Sequence, residues 1–282
     1  MYSTLSEYTQ DIDKVLSLLE LTSALKEFSG HCGTGSQEDQ SDAYSAIAHK
    51  LHGLSQNNNA NLLVLNGTLL LFMAGRFEIF VRATFEELCI NTSVKADKFS
   101  HLPKEMRENL ISYTAEVIAN PRRYGHGDNG VKGFVRVLSE NLSDAGKLNE
   151  INVACISITS ENMRPAILND LFKRIGISNI WEKVSQQAKL QKFFHTHDSG
   201  NAKKESEKFL NELMNERNKI AHPSSSFTWP DHDYVKQAGE FLKTFGIVLI
   251  DSIEAIEFDL QSRIENNKKT QLIRMPNIIS MN

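Results

Sequence analysis

Apolar residues return at three- and four-residue steps along nearly the whole chain, the period of helices packed by one face. Ile12, Val15, Leu16, Leu19, Leu25 and Phe28 predict an amphipathic helix over Thr9–Phe28, stopped at Gly30. Leu62, Leu65, Leu69, Phe72, Met73, Phe77, Phe80, Phe85 and Leu88 predict a helix long enough to span a domain. Shorter patterns follow. Lys104–Ala119 closes at Asn120-Pro121, Val131–Leu142 at Gly146 and Met163–Ile175 at Gly176; Ile180–Phe194 and Ala202–His222 come next. Asp231 suits the N-cap of a last helix over Tyr234–Leu260, expected to lie antiparallel to the Leu62 helix. Ile151–Ile158 has strand-like apolar content but no second strand to pair with, so an extended loop is expected. The Gly-, Ser-, Gln- and Asn-rich stretch Ser29–Asn61 reads as a mobile connection with a short helix near Ala43–Leu51, and the residues after Arg263 as a frayed tail. The expected organisation is an N-terminal helix and polar linker over 1–61, an all-α helical bundle over 62–262 and a polar tail over 263–282.

With 282 residues, 40% hydrophobic and 23% charged, and with only 15 Gly and 6 Pro, collagen-like and wholly disordered classes are excluded. The net charge of −4 offers no global basic excess, so a nucleic-acid role needs a local patch. Cys32, Cys89 and Cys155 form no C-x-x-C pair and no zinc spacing, which fits a reducing cytoplasm. The first ten residues lack the basic and apolar regions of a signal peptide. The most apolar window, Leu62–Val81, carries Arg76 and Glu78, so no membrane span is expected.

The chemistry concentrates in Glu216-Arg217-Asn218-Lys219-Ile220-Ala221-His222-Pro223. Proline disfavours the α conformation in the residue before it, so His222 is expected at the exit of its helix. There the partial negative charge of the carbonyl end favours a charged imidazole, which suits an acid or base. Asn218 lies four residues earlier on the same face and can steady the ring; a phosphate can bridge Arg217 and His222.

Arg217-Asn218-x-x-Ala221-His222, late in a helical chain, resembles the R-x4-6-H motif of HEPN domains, the helical-bundle ribonucleases of prokaryotic defence and toxin–antitoxin systems. Gly75-Arg76-Phe77-Glu78-Ile79-Phe80 is similar to the acidic position on the long helix of the MAE-type and RiboL-PSP-like subgroup. The resemblance covers about Leu62–Leu260. It implies an antiparallel bundle with extra helices that works as a two-fold dimer. It also implies RNA cleavage without metal or other cofactor, the neighbouring 2′-hydroxyl attacking the phosphodiester to leave a 2′,3′-cyclic phosphate. Such a transfer needs a proton acceptor, a proton donor and a cation, whereas the motif supplies one His and one Arg per chain. A second copy doubles both. In this assignment His222 is the acid or base, Arg217 holds the scissile phosphate, Asn218 positions the pair and Glu78 is a supporting neighbour. Arg122, Arg123 and Lys219 are candidate RNA contacts, and an antitoxin or defence partner is expected. Pro223-Ser224 follows His222 where partner-silenced HEPN toxins extend the motif to H-x-Tyr, which puts that mode of control in doubt.

Other readings stay open. An Arg and a His near a helix end also simply neutralise carbonyl groups, and a HEPN-like bundle without activity serves as a dimerising scaffold or an RNA- or protein-binding module. His195-x-His197-Asp198 can seed a metal-dependent hydrolase, although no third ligand is sequence-linked to it. Arg122-Arg123-Tyr124 adds an aromatic for base stacking to two cations, or is a solvated turn after Pro121. Gly33-Thr34-Gly35-Ser36 lacks the strand and the Gly-Lys-Ser of a phosphate loop and reads as linker.

Overall fold

The structure, a computed structural model, describes residues 1–32, 43–159 and 161–274. Four long helices carry it: α1 (Tyr2–Cys32), α2 (Ala43–Lys95), α9 (Ser199–Ala221) and α10 (His232–Arg274). Between α2 and α9 the chain makes an excursion of six shorter helices, α3 (Lys104–Ala119), α4 (Asp128–Ser143), α5 (Val153–Ile156), α6 (Pro165–Lys173), α7 (Ile180–Ser185) and α8 (Ala188–Phe193). No strand occurs among the described residues, so the fold is all-α.

The core is the sum of the helical stripes. Tyr8, Ile12, Val15 and Leu19 of α1 are buried against Leu70, Met73, Phe77, Val81 and Leu88 of α2 and Phe241, Phe245, Leu249 and Ile253 of α10. Glycine sets how close α1 and α10 come. A Cβ on Gly246 would sit 2.6 Å from the Tyr8 ring, which stacks on Phe80 with centroids 4.2 Å apart, while the Tyr8 hydroxyl donates to the Leu242 carbonyl at 2.9 Å. Burial pushes that phenol well above its ordinary range.

α1 runs antiparallel to α2 and α10, and α9 to α10, as a HEPN-like antiparallel bundle requires, but α10, which packs beside α2, is not antiparallel to it. Asn66 donates to the Pro230 carbonyl, Phe77 meets Phe245 edge-on, Asn91 donates to Glu257 and Lys268 donates to the Lys95 carbonyl, so the two run the same way. The reversals fall elsewhere: α1 runs against both, with Arg76 paired to Glu7 and Asp11, and the short connection after His222 turns α9 back into α10.

Several local expectations change. The helix expected from Leu62 begins at Ala43, so the asparagine run continues it rather than linking to it, asparagine having only modestly lower helix propensity than the residues around it. Gly33–Ser36 lies outside the described residues, as does the end of the chain after Arg274. Ile151–Ile158 is not an extended loop, because Val153–Ile156 closes one helical turn that buries Cys155 and Ile156. Ile180–Phe194 breaks into α7 and α8 at Gln187, whose backbone is extended (ψ 126°), and Gln191 donates to the Ser185 carbonyl freed there. The tail after Arg263 continues α10 to Arg274, where Asn267 donates to the His101 and Leu102 carbonyls. Asn61–Lys95 is the one described segment long and apolar enough to cross a membrane by composition; its inner face supplies Leu70, Met73, Phe77, Val81 and Leu88 to the core.

Candidate functional site

α9 turns Leu210, Leu213, Met214 and Ile220 into the core. Its outer stripe reads Asn211, Asn215, Asn218 and His222, spaced so that all four share one line along the surface. The helix opens on Asp198, whose carboxylate accepts from the Asn201 backbone N–H at 2.8 Å, and closes on His222. His222 leaves helical geometry at φ −134°, ψ 68°, as the following proline demands, and its backbone N–H still donates to the Asn218 carbonyl at 3.0 Å. Its imidazole is exposed.

The segment after His222 is pinned to α2. Trp229 packs on Gly67, where a Cβ would stand 2.4 Å from its ring, and Phe227 packs edge-on against Trp229. Asp231 then caps α10 through the Tyr234 N–H at 2.8 Å.

Arg217 and Asn218 meet: the guanidinium Nη1 donates to Asn218 Oδ1 at 3.3 Å. The same oxygen accepts from Asn162 Nδ2, in the segment leading into α6. With that oxygen taken, the expected support of the imidazole by the carboxamide is not formed, and no hydrogen bond joins the two side chains among the described residues. Glu78 enters from α2, but as an anchor: its Oε1 accepts from the Met163 backbone N–H at 2.9 Å, fixing the residue next to Asn162. Arg164 reaches along α9 to Asn211 Oδ1 at 2.6 Å and Asn215 Oδ1 at 2.8 Å. One loop thus ties Glu78 to Arg217 and Asn218 across three elements.

The other candidates lie apart from this network. Lys219 pairs with Glu216 at 2.6 Å on the exposed side of α9. Arg122 and Arg123 sit in a 3-10 turn between α3 and α4, where Arg123 covers the Tyr124 ring at 5.5 Å and the Tyr124 hydroxyl donates to Glu116. No hydrogen bond or ion pair links them to α9 among the described residues.

A family model for RiboL-PSP-HEPN matches residues 38–255, most of the chain. The chain belongs to this family. The matched range takes in α2, the excursion and α9, and with them Glu78, Asn162, Arg217, Asn218 and His222 of this HEPN domain. Membership points to a nuclease or RNA-related role. No curated protein and no solved structure matches the chain significantly.

Among the described residues of the HEPN domain no three His, Cys, Asp or Glu side chains gather as a metal site would need. Asp198 is engaged as the cap of α9 and His195 adopts a left-handed backbone (φ 51°), so the His195-x-His197-Asp198 stretch serves as a helix entry. The buried thiols are poor nucleophiles: burial pushes Cys155 up to about 11 and Cys89 higher still.

The motif end of the site was legible from spacing, and so was the asparagine stripe, in hindsight, as an i, i+4, i+7 pattern on α9. Asn162 and Arg164 carried no sequence signal, because their partners are side chains far along the chain.

Proposed function

We propose that this HEPN domain is a metal-independent endoribonuclease. The observation that carries the reading is the junction at the open end of α9, where Arg217 and Asn218 are in contact and tied to Glu78 through Asn162 and Met163, beside an exposed His222. In the mechanism, one His222 takes the proton of the 2′-hydroxyl as its oxygen attacks phosphorus. The His222 of a second copy gives a proton to the departing 5′-oxygen, leaving a 2′,3′-cyclic phosphate and a 5′-hydroxyl. Arg217 offsets the charge that builds on the phosphorane oxygens. Asn218, its oxygen held by two donors, turns its amide donors outward toward a phosphate oxygen. Glu78 supports from behind, through the loop. Arg122 and Arg123, with Tyr124 between cation and base, and Lys219 serve as outlying contacts to the RNA strand.

The second copy has a surface available. Leu65, Phe72, Ile79, Ile90 and Val94 form an exposed apolar line along α2, with Phe72 at 47% and Ile79 at 55% exposure, flanked by α1 on one side and by the Glu78-anchored loop on the other. Covering it with the same face of another chain would join two sites in one assembly and hide an apolar patch that solvent disfavours. A cytoplasmic toxin or antiviral defence role, with an antitoxin or defence partner, is the setting we assign to such an activity.

The test is incubation of the protein and its His222→Ala variant with total RNA in EDTA, reading the new 3′ ends. Cyclic-phosphate ends from the wild type alone are expected. A folded, dimeric protein that leaves RNA intact would make the domain a scaffold instead, and cleavage only on adding divalent metal would overturn the acid–base mechanism.

A further inference from the structure

We infer that Arg164 is a second RNA-backbone cation, a preformed receptor for a phosphate several nucleotides away from the one that is cut. The inference rests on the ribonuclease reading and extends its substrate to a strand longer than the scissile step.

Arg164 is fixed at both ends. Its backbone is extended (φ −70°, ψ 163°) at the N-cap of α6, between Met163, held by Glu78, and Pro165, whose ring presets the first helical turn. Its guanidinium is held 2.6 and 2.8 Å from two neutral carboxamide oxygens, those of Asn211 and Asn215. A half-exposed arginine ordinarily loses side-chain entropy when it binds an anion, and here that ordering is already met in the free protein. Two neutral acceptors use two of five N–H donors and leave the positive charge uncompensated. No carboxylate pairs with it among the described residues. Glu216 holds Lys219, and both Glu212 and Glu216 act on Tyr234, raising its phenol further after burial has done most of it. The line Asn211, Asn215, Asn218, His222 is itself free of acidic side chains, so an anionic strand laid along it meets donors throughout.

The spacing sets the length of strand. Asn215 and Asn211 lie seven and eleven residues before His222, about 10–16 Å along a helix rising about 1.5 Å per residue. At about 3.4 Å of rise per stacked nucleotide, this places the second phosphate roughly three to five nucleotides from the scissile one.

The experiment uses the full chain. In a His222→Ala background, binding of a single-stranded RNA of about twelve nucleotides is measured against salt, with and without Arg164→Ala. Loss of one phosphate contact is expected to weaken binding about tenfold and to lower the salt slope by about 0.7, with Arg164→Lys recovering the slope more than the affinity. With His222 intact, the gain in kcat/KM on lengthening the substrate from a dinucleotide to about eight nucleotides is expected to shrink by a similar factor in Arg164→Ala. An unchanged salt slope, or an equal loss on short and long substrates, overturns the assignment while leaving the ribonuclease reading intact. Failure of the wild type to bind or cut any RNA overturns both.

Discussion

The two ends of α6 each carry an arginine, and the protein treats them in opposite ways. Arg174, at the C-terminal end, is only 7% exposed, with Nη1 donating to the Ile156 and Ile158 carbonyls at 2.7 Å and Nε and Nη2 to Asp170, while Tyr113 lies under the guanidinium at 4.1 Å. Its donors are spoken for, and its charge is balanced. Arg164, at the other end, lies at the surface and, among the described residues, donates its guanidinium hydrogen bonds only to neutral amides. A saturated cation holds structure together; a half-satisfied one without a carboxylate is a place for an anion. The two are also coupled, because the carbonyls that Arg174 clamps begin the segment that delivers Asn162 to Asn218.

The largest expected effect that tests this contrast is on stability. Arg174→Met leaves one buried and one part-buried carbonyl and a carboxylate without their donor and should cost about 3 kcal/mol in urea unfolding, whereas Arg164→Met should stay within about 0.5 kcal/mol. Equal costs would erase the distinction. Next, Gly67→Leu drives a side chain into the Trp229 ring and should cost about 2 kcal/mol; because Trp229 seats the segment after His222, RNA cleavage should fall further than the stability loss accounts for. Smaller again, Tyr113→Leu removes the ring under Arg174 and should cost about 1 kcal/mol without altering RNA binding.

A pH titration changes nothing near neutrality and probes the buried side alone. Cys155, one residue from the carbonyl that Arg174 holds, stays protonated in the fold up to about 11, whereas a thiol in the unfolded chain ionises near about 8.5. The unfolded state therefore loses its proton first. Stability is complete below that pH and declines as pH rises from there toward the folded value. Cys155→Ala should flatten part of this decline, visible in thermal melts between about pH 8 and 10.5, and a decline identical in the variant would remove Cys155 from the account.

How much of this was readable along the chain can be seen element by element. α3 falls at the expected Lys104–Ala119, and Asp231 and the residue before Pro223 take the cap positions their chemistry suits. These depend on windows of a few residues, where side-chain period, proline and short polar caps act directly. The same locality misled where a tertiary partner outweighed it: Ile151–Ile158 folds into a turn whose Ile156 and Ile158 carbonyls Arg174 collects.

By itself, then, the sequence determined an all-α chain, the places where most of its helices begin and end, and the placement of Arg217, Asn218 and His222 at the end of one helix. Only the tertiary structure decided that α10 runs parallel to α2, that α1 completes the core, that Glu78 works through Met163 and that Asn162 and Arg164 belong beside the motif. The division has a physical cause. Backbone conformation answers to neighbours within a turn or two, whereas Asn162 finds Asn218, and Met163 finds Glu78, only after the long helices have buried their apolar stripes and brought distant surfaces within hydrogen-bonding reach.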